Sequence, residues 1–262
     1  MSPYDVFIFD LDGTIYLGDQ LIAGAKETIT LLRQSGKRVV FLSNKPIAGR
    51  RDYAEKLTRL GITTQTEDVV NSSFVAAQFF SKETPGAHIY VIGEQVLVDE
   101  LTQAGLQMAQ TVASTDIVLI SLDREVNYEK IHFAYHAAKA GAKIWATNPD
   151  LVCPMPDDEI IDAGATIAAI EALLRRPIDG VIGKPSAIMI KAIVDMVGAG
   201  PERCVMIGDR IETDVLMGNE AGMTSVLVMS GVTDHARLEA VDIVPGYVLD
   251  SVADIPRTFL GT

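Results

Sequence analysis

The sequence predicts an α/β protein with two domains: a three-layer, Rossmann-like core around a central parallel sheet, and a smaller α/β domain inserted into it. Short apolar runs, typical of buried parallel strands, each end in a polar motif. Stretches with helical patterning separate the runs, as in βαβ units. A long segment between the second and third motifs repeats the alternation of strands and helices, which is typical of a further α/β domain.

The first apolar run, residues 6–9, ends in two carboxylates that flank a single residue. These are Asp10 and Asp12, and Gly13 then breaks the strand into a turn. Ligands of open α/β sheets bind beyond the carboxyl ends of the strands, and a carboxylate pair at that edge can bind a metal and attack phosphorus. Taken alone, the pair fits an Asx-type turn equally well, because Asp and Gly are common turn formers.

The next segment has room for a hairpin flap at residues 16–20, a helix over residues 25–34 and a second apolar run, residues 39–42. Nothing larger fits there. The second run ends in Ser43 and Asn44, whose hydroxyl and amide can hold a phosphate oxygen.

A much longer segment separates the second motif from the third. Ser43 and Lys184 are 141 positions apart, whereas a βαβ unit needs about 30 residues or somewhat more. Two helices, over residues 47–60 and 72–82, belong to the core by their patterning. The predicted domains are a core of residues 1–83 and 179–262 and an insert of residues 84–178.

Inside the insert, strands and helices alternate as in a small α/β domain. The predicted strands are residues 88–92, 116–122 and 143–146. The predicted helices are residues 95–104 and 128–140, followed by an amphipathic stretch over residues 163–174 that leads back towards the core.

The third and fourth apolar runs, residues 180–182 and 204–207, end in charged groups. Lys184 follows the third run and supplies a point charge just before a proline that can open a helix; a solvated surface lysine is the alternative. Asp209 and Asp214 follow the fourth run. Each motif alone is a weak signal, but the four together, each at the end of an apolar strand, predict one shared site.

The four motifs resemble those of the haloacid dehalogenase superfamily of phosphoryl-transfer enzymes, and the resemblance extends over nearly the whole chain. Within that superfamily the chain is similar to the NagD-like sugar and nucleotide phosphatases, which are related to 4-nitrophenylphosphatases and to pyridoxal and phosphoglycolate phosphatases. Residues 146–150 resemble a segment of that subfamily's cap. The resemblance implies a phosphomonoester hydrolase whose insert is a cap of class II, type A, which covers the site and selects a small-molecule substrate.

The end of the first strand suits nucleophilic catalysis. A phosphomonoester dianion repels an attacking carboxylate, so the site must neutralise charge and align the nucleophile with the leaving oxygen. Asp10 is best placed to be the nucleophile and to form an aspartyl-phosphate intermediate. Asp12 can protonate the leaving alcohol and then deprotonate the water that hydrolyses the intermediate.

Magnesium (Mg2+) is the predicted metal, because it takes hard oxygen ligands in an octahedron and keeps several waters. The resemblance implies that its ligands are the Asp10 and Asp209 carboxylates and the Asp12 main-chain carbonyl. It also implies that Asp214 holds a water on the metal or lies just outside the ligands.

The phosphate is predicted to be held by one charge and several hydrogen-bond donors. Lys184 would neutralise charge on the phosphoryl group and on the nucleophile. The Ser43 hydroxyl and backbone amides near Asp12, Gly13 and Asn44 would complete the oxygen cradle.

The loop at residues 147–162 is the candidate for substrate selection. Asn148 and Asp150 match the cap segment of the resemblance and could contact the leaving group, and an exposed acidic loop is the alternative. The acids at residues 157–159 are more typical of an exposed loop than of a substrate contact. An acidic loop would suit neutral polyols or sugars better than a leaving group with extra negative charge.

Composition narrows the setting. The formal net charge of −13 argues against a nucleic-acid surface, which would show a basic stripe. No run approaches the roughly 20 apolar residues that span a bilayer, and no basic, apolar leader is visible, so no membrane contact and a cytoplasmic location are expected. Cys153 and Cys204 lie far apart without metal-ligand spacing and are expected to be reduced packing or loop residues.

Two other functions stay open on the same fold. A phospho-ligand sensor would bind without turnover, although it has little use for both a nucleophile and an acid. A phosphotransferase would pass the phosphoryl group to a second alcohol instead of water.

Apolar surface on the insert could support a homodimer.

Overall fold

The computed structural model describes residues 3–154 and 159–261. Its strands are β1 (Val6–Asp10), β2 (Tyr16–Leu17), β3 (Gln20–Leu21), β4 (Arg38–Ser43), β5 (Val69–Asn71), β6 (His88–Ile92), β7 (Gln107–Met108), β8 (Ile117–Ile120), β9 (Lys143–Ala146), β10 (Val152–Pro154), β11 (Glu159–Ile161), β12 (Gly180–Val181), β13 (Cys204–Gly208), β14 (Thr224–Val228) and β15 (Tyr247–Leu249). Its α-helices are α1 (Ala25–Gln34), α2 (Arg50–Arg59), α3 (Ser72–Glu83), α4 (Gln95–Gln103), α5 (Tyr128–Ala140), α6 (Ala163–Leu174), α7 (Ala187–Val197), α8 (Leu216–Ala221), α9 (His235–Glu239) and α10 (Ile255–Phe259).

A six-stranded sheet, in the order β15-β14-β13-β1-β4-β5, forms the centre of the core. Its strand pairs are all parallel, as predicted. Strand β1 lies between β13 and β4, so that Phe9 is paired with Ile207 on one side and Phe41 on the other. The carboxyl ends of these central strands therefore meet at one edge of the sheet.

Both faces of this sheet are covered, which makes the core three layers thick. Along β1, Val6 and Ile8 pack in one buried cluster and Phe7 and Phe9 in another, because successive side chains of a strand point to opposite faces. Helices α3 and α7 contribute to the first cluster, and α1 and α2 to the second. All five residues of β1 are buried, as expected of a parallel strand between two helical layers.

A second parallel sheet, in the order β12-β9-β8-β6-β7, belongs to the insert. The predicted strands and helices of the insert are present as β6, β8, β9, α4, α5 and α6, with boundaries within a few residues of the prediction. Helices α5 and α6 pack over a buried cluster that includes Ile120, Ile144 and Ile170. The insert is thus a small α/β unit with its own core.

The apolar run at residues 180–182, predicted as a core strand, lies in this second sheet instead. Strand β12 pairs in parallel with β9 and sets Gly180 beside Trp145. A Cβ atom on Gly180 would overlap the Trp145 ring, so glycine permits the close approach. The Gly183 N–H donates to the Thr147 carbonyl at 2.8 Å, and the pairing therefore continues up to the residue before Lys184.

Smaller predicted features are also present. Strands β2 and β3 pair antiparallel and form the flap. Both cysteines, Cys153 and Cys204, are buried and neither forms a disulfide bond. Across residues 3–154 and 159–261, none of the helices has the length and apolar character needed to cross a membrane.

Candidate active site

Lys184 is the central charge at the carboxyl edge of the core sheet. Its Nζ lies 2.5 Å from Asp10 Oδ1 and 2.6 Å from Asp214 Oδ1, and the residue is only 2% exposed. Asp10 is the last residue of β1, and Asp214 comes from a π-helical turn, Ile211–Val215, just after β13. The alternative of a solvated surface lysine is therefore wrong.

Asp209 joins the two carboxylates from the end of β13. One oxygen from each of Asp10, Asp209 and Asp214 lies within 4.8 Å of the others. Two glycines make room for this arrangement, because a Cβ atom on Gly13 or Gly231 would overlap the Asp209 carboxylate. Gly13 also has a φ angle of +85°, a conformation that glycine adopts without strain.

Burial dominates the electrostatics of these carboxylates. It raises the pKa of Asp209 to about 8 and the pKa of Asp214 to about 6, and it raises the pKa of Asp10 as well. Lys184 and Arg210 oppose the rise at Asp10 without cancelling it. The positive charges of Lys184 and Arg210 do not fully offset the burial of the three carboxylates, and the hard oxygen donors of the cluster fit a divalent cation.

Asp12 lies beside a lysine that the motifs did not predict. Lys45 Nζ is 3.6 Å from Asp12 Oδ1, and the two side chains are 13% and 17% exposed. The turn that carries Asp12 is fixed by the flap, because the Gly13 N–H donates to the Tyr16 carbonyl at 2.8 Å. Asp12 is therefore presented from an ordered turn, next to a cation.

The second motif uses its asparagine to hold Lys184. Asn44 Oδ1 accepts from the Lys184 N–H at 2.7 Å, and Asn44 Nδ2 donates to the Lys184 carbonyl at 3.1 Å. The side-chain amide was expected to hold a phosphate oxygen and is instead engaged with the main chain of the third motif. Ser43 is buried at the end of β4 and lines the same cavity as Asp10.

Asp150 is one of the residues through which the insert contacts the core. Its Oδ1 lies 2.5 Å from Arg210 Nη1, and its Oδ2 accepts from Asn44 Nδ2 at 3.1 Å and from Asn148 Nδ2 at 3.2 Å. Asn148 is fully buried and also donates to Asp162 Oδ1 at 3.0 Å. Asn148 therefore positions two carboxylates of the insert, while Asp150 bridges to the core.

One cavity joins these groups. It is lined by residues of all four predicted core motifs and, from the insert, by Asp150, Val152, Cys153 and Asp162. The predicted acids Asp157 and Asp158 lie outside the described residues. Lys45 and Arg210 also line this cavity but were not predicted as site residues. Each directly follows a predicted motif residue, so its charge in that loop was a signal that could have identified it.

Similarity to known proteins identifies the family of this chain. The family described as haloacid dehalogenase-like hydrolase matches residues 7–107, and a HAD-hydrolase-like family matches residues 181–255. The chain is 40% identical to sugar-phosphatase AraL of Bacillus subtilis, over 98% of this chain and 93% of that protein. It is 35% identical to phosphoglycolate phosphatase 2 of Arabidopsis thaliana, over 96% of this chain and 92% of that protein.

Solved structures of similar fold include phosphatases. The 4-nitrophenylphosphatase from Thermotoga maritima has a TM-score of 0.91 and 32% identity, with 97% of each chain covered. NagD from E. coli K-12 has a TM-score of 0.86 and 30% identity, with 97% of this chain and 98% of that chain covered. The predicted resemblance is confirmed: the chain belongs to the haloacid dehalogenase-like hydrolases, and it is a phosphatase of the NagD and 4-nitrophenylphosphatase type.

Proposed function

We propose that this phosphatase is a magnesium-dependent phosphomonoester hydrolase that acts through an aspartyl phosphate on Asp10. The observation that carries the proposal is one buried ammonium, Lys184, in contact with both Asp10 and Asp214 at the strand ends. An ammonium in this position offsets the repulsion between the carboxylate nucleophile and a phosphate dianion. A sensor that only binds phosphate would gain nothing from a carboxylate facing the anion.

The carboxylate cluster supports Mg2+ as the cofactor. We propose that the Asp10 and Asp209 carboxylates and the Asp12 main-chain carbonyl hold the ion, with Asp214 beside it. When bound, the ion would supply positive charge that draws the phosphate towards the nucleophile and offsets the buried carboxylates. The convergence of three carboxylate oxygens within 4.8 Å and their raised pKa values support this assignment.

The proposed reaction has two steps. In the first, Asp10 attacks phosphorus, the bond to the leaving oxygen breaks, and Asp12 gives that oxygen its proton. In the second, water attacks the phosphorus of the aspartyl phosphate, Asp12 takes a proton of the water, and the bond between phosphorus and the Asp10 oxygen breaks, which releases inorganic phosphate and restores the Asp10 carboxylate. The Ser43 hydroxyl and the backbone amides near Gly13 and Asn44 would hold the phosphate oxygens throughout.

We propose that residues 84–178 act as a cap that selects the substrate. Support comes from Asp150, Val152, Cys153 and Asp162, which line the cavity that the core motifs also line. AraL is named a sugar-phosphatase, so sugar phosphates are the first class of substrate to test.

The cytoplasmic location and the formation of a homodimer remain predictions from the sequence.

Release of inorganic phosphate from a panel of esters tests the proposal. Sugar phosphates, nucleoside monophosphates, pyridoxal phosphate, phosphoglycolate and 4-nitrophenyl phosphate would each be incubated with magnesium or with excess chelator. Magnesium-dependent release is the expected result. Accumulation of a new ester would indicate a phosphotransferase, and tight binding without release would indicate a sensor.

Removal of the metal should destabilise the protein, and more strongly as the pH rises. Burial raises the pKa of Asp214 to about 6 and that of Asp209 to about 8, from 3.8. The protonated forms therefore favour folding below about pH 4, and this contribution is lost as the pH passes through about 6 and 8. A bound cation should offset the loss, so the rise in melting temperature caused by magnesium should grow between about pH 5 and about pH 9.

Thermal unfolding at several pH values, with magnesium or chelator, measures this effect. Asp209→Asn should abolish most of the magnesium-induced rise in melting temperature. Asp195→Asn, in an exposed pair on α7, is the matched control and should leave it unchanged. A rise of equal size at every pH, or in both variants, would contradict the assignment.

Asp12→Asn should slow turnover of esters with alkyl leaving groups by about 10²- to 10³-fold, because the leaving alkoxide loses its proton donor. The rate of the first step should fall less for 4-nitrophenyl phosphate, since nitrophenolate leaves without a proton. Loss of the base should also let the aspartyl phosphate accumulate. Steady-state kinetics with both esters, with mass spectrometry after an acid quench, would measure this, and equal losses without a phosphorylated protein would rule out the proposed role of Asp12.

A further inference from the structure

The insert is attached to the core through two kinds of contact. One is apolar: Trp145 of β9 packs against Phe79 and Phe80 of α3, with ring centroids 5.2 and 5.8 Å away. The other is polar, borders the active-site cavity and centres on Asp150. Apolar contacts are non-directional, whereas charge-assisted hydrogen bonds require a defined geometry. Asp150 is therefore suited to set the position of the insert over the site.

The insert fixes Asp150 from its own side. Asn148, which is fully buried, donates from Nδ2 to Asp150 Oδ2 at 3.2 Å. The Asp150 carbonyl accepts from the Gly164 N–H at 2.8 Å, near the start of α6. A Cβ atom on Gly164 would overlap that carbonyl, so glycine permits this close approach. The Asp150 carboxylate is thus presented to the core in a fixed orientation.

Both oxygens of the Asp150 carboxylate contact the core. Oδ1 lies 2.5 Å from Arg210 Nη1, and Oδ2 accepts from Asn44 Nδ2 at 3.1 Å. With its bond from Asn148, Oδ2 has two donors, which is about the capacity of one carboxylate oxygen. Only 10% of the Asp150 side chain is exposed. The carboxylate therefore has little capacity left for a hydroxyl group of a substrate.

Arg210 connects Asp150 to the carboxylate cluster. It directly follows Asp209, and its N–H donates to Asp214 Oδ2 at 3.1 Å. In residues 3–154 and 159–261, Asp150 is the only acid that forms an ion pair with the Arg210 guanidinium. A mostly buried cation that loses its partner is strongly unfavourable. The docked position of the insert is therefore the one that satisfies Arg210.

Asn44 connects Asp150 to the catalytic lysine. Its Nδ2 donates to Asp150 Oδ2 and to the Lys184 carbonyl, each at 3.1 Å, and its Oδ1 accepts from the Lys184 N–H at 2.7 Å. The Asn44 carbonyl accepts from the buried Ser72 hydroxyl at 2.7 Å. Without Asp150, one hydrogen of the side-chain amide would lack this partner, and the amide would hold the main chain of Lys184 less firmly.

We propose that Asp150 is a positioning residue: it docks the insert on the core and, through Asn44, holds Lys184 where it contacts Asp10. The inference rests on the proposed function, because it assumes that Lys184 acts on Asp10 during phosphate release. Misplacement of a catalytic group by about 1 Å can cost about 10²-fold in rate, so docking should affect kcat more than KM. The effect should be the same for all substrates, whereas a contact between Asp150 and the leaving group would depend on that group.

Esters with different leaving groups test this role in Asp150→Asn, which keeps the size of the side chain and removes its charge. For ribose 5-phosphate, glycerol 3-phosphate and 4-nitrophenyl phosphate alike, kcat should fall about 10-fold and KM should change less than about twofold. The nitrophenyl ester is decisive, because its leaving group carries no further hydroxyl that Asp150 could bind. A loss confined to the two hydroxylated esters, or no loss at all, would overturn the positioning role.

A double-mutant cycle with Arg210 tests the docking pair itself. Arg210→Met should lower kcat, and adding Asp150→Asn should cost less than the product of the two single losses, because the same contact is removed either way. Losses that multiply would overturn the pair. Asp99→Asn is the matched control, because its exposed carboxylate accepts only from Gln95 on the same helix of the insert, and it should resemble wild type. Asp150→Ser, which places no second amide opposite Asn44, serves if Asp150→Asn does not fold.

Hydrogen exchange gives a readout that needs no turnover. The Lys184 N–H, which donates to Asn44 Oδ1, should exchange at least about threefold faster in Asp150→Asn than in wild type. Its rate in Asp99→Asn should equal that of wild type. If wild type released phosphate from none of the esters, the proposed function would fail, and this rate would decide the docking role. Faster exchange supports that role, and an unchanged rate overturns it in either case.

Discussion

Asparagine in place of Asp10 should lower phosphate release by at least about 10⁴-fold, because an amide can neither attack phosphorus nor carry the phosphoryl group. The side chain keeps its size and its place beside Lys184, which lies 2.5 Å away in the parent protein. The substitution removes one negative charge from the cluster. Burial is the main cause of the raised pKa values of Asp209 and Asp214, and the charge of Asp10 raises them further. The metal-free variant should therefore unfold at the same temperature as wild type or at a higher one.

Phosphate release and thermal unfolding, measured side by side, separate chemistry from structure in this variant. An acid quench during turnover should leave a phosphoryl adduct on wild type, and mass spectrometry should find none on Asp10→Asn. Activity above about one hundredth of wild type in the variant would assign the nucleophile to another residue.

Methionine in place of Lys184 should both inactivate and destabilise the protein. Activity should fall by about 10³-fold, because the charge that offsets the approach of nucleophile and dianion is gone. The free energy of unfolding should fall by about 3 to 5 kcal/mol at neutral pH, because Asp10 and Asp214 lose the cation they face inside the protein. This loss should shrink in acid, as the buried carboxyls take up protons and no longer need a counter-charge.

Urea unfolding at neutral and acidic pH measures the stability effect. Lys191→Met is the matched control, because Lys191 forms an exposed pair with Asp195, with both side chains more than half exposed. An exposed pair contributes about 0 to 1 kcal/mol, so this variant should resemble wild type. A loss of the same size for both lysines, or one that does not change with pH, would be incompatible with the buried arrangement.

The core of the site was predictable from sequence because its signals are local. Asp10 and Ser43 directly follow apolar runs, Asp209 follows one after a single glycine, and parallel pairing brings the ends of those runs together. For these three residues, knowing the strands is therefore enough to predict that their side chains lie close together. The flap and the helices of the insert were predictable for a similar reason, since their periodicity lies within a few consecutive residues.

Long-range contacts were not predictable in this way. Strand β12 is two residues long, and its place in the second sheet depends on pairing with β9, which lies more than 30 residues earlier in the chain. Nothing in Asn44 itself shows that its side chain bonds the main chain of Lys184. The contact of Asp150 with Arg210 depends on how the insert sits over the core, which no local pattern encodes.

The pairing of the second sheet continues up to the residue before Lys184, and this limits how the insert can move relative to the core. Gly183 is still hydrogen-bonded to Thr147 of the insert, while the next residue, Lys184, already contacts Asp10 of the core. No residue separates the last hydrogen bond to the insert from the first contact with the core, so a rotation of the insert that kept both contacts would have to turn about this crossing. A residue at a pivot moves least. If the insert acts as the proposed cap, such a rotation would leave Lys184 in contact with Asp10 while more distant parts of the insert move.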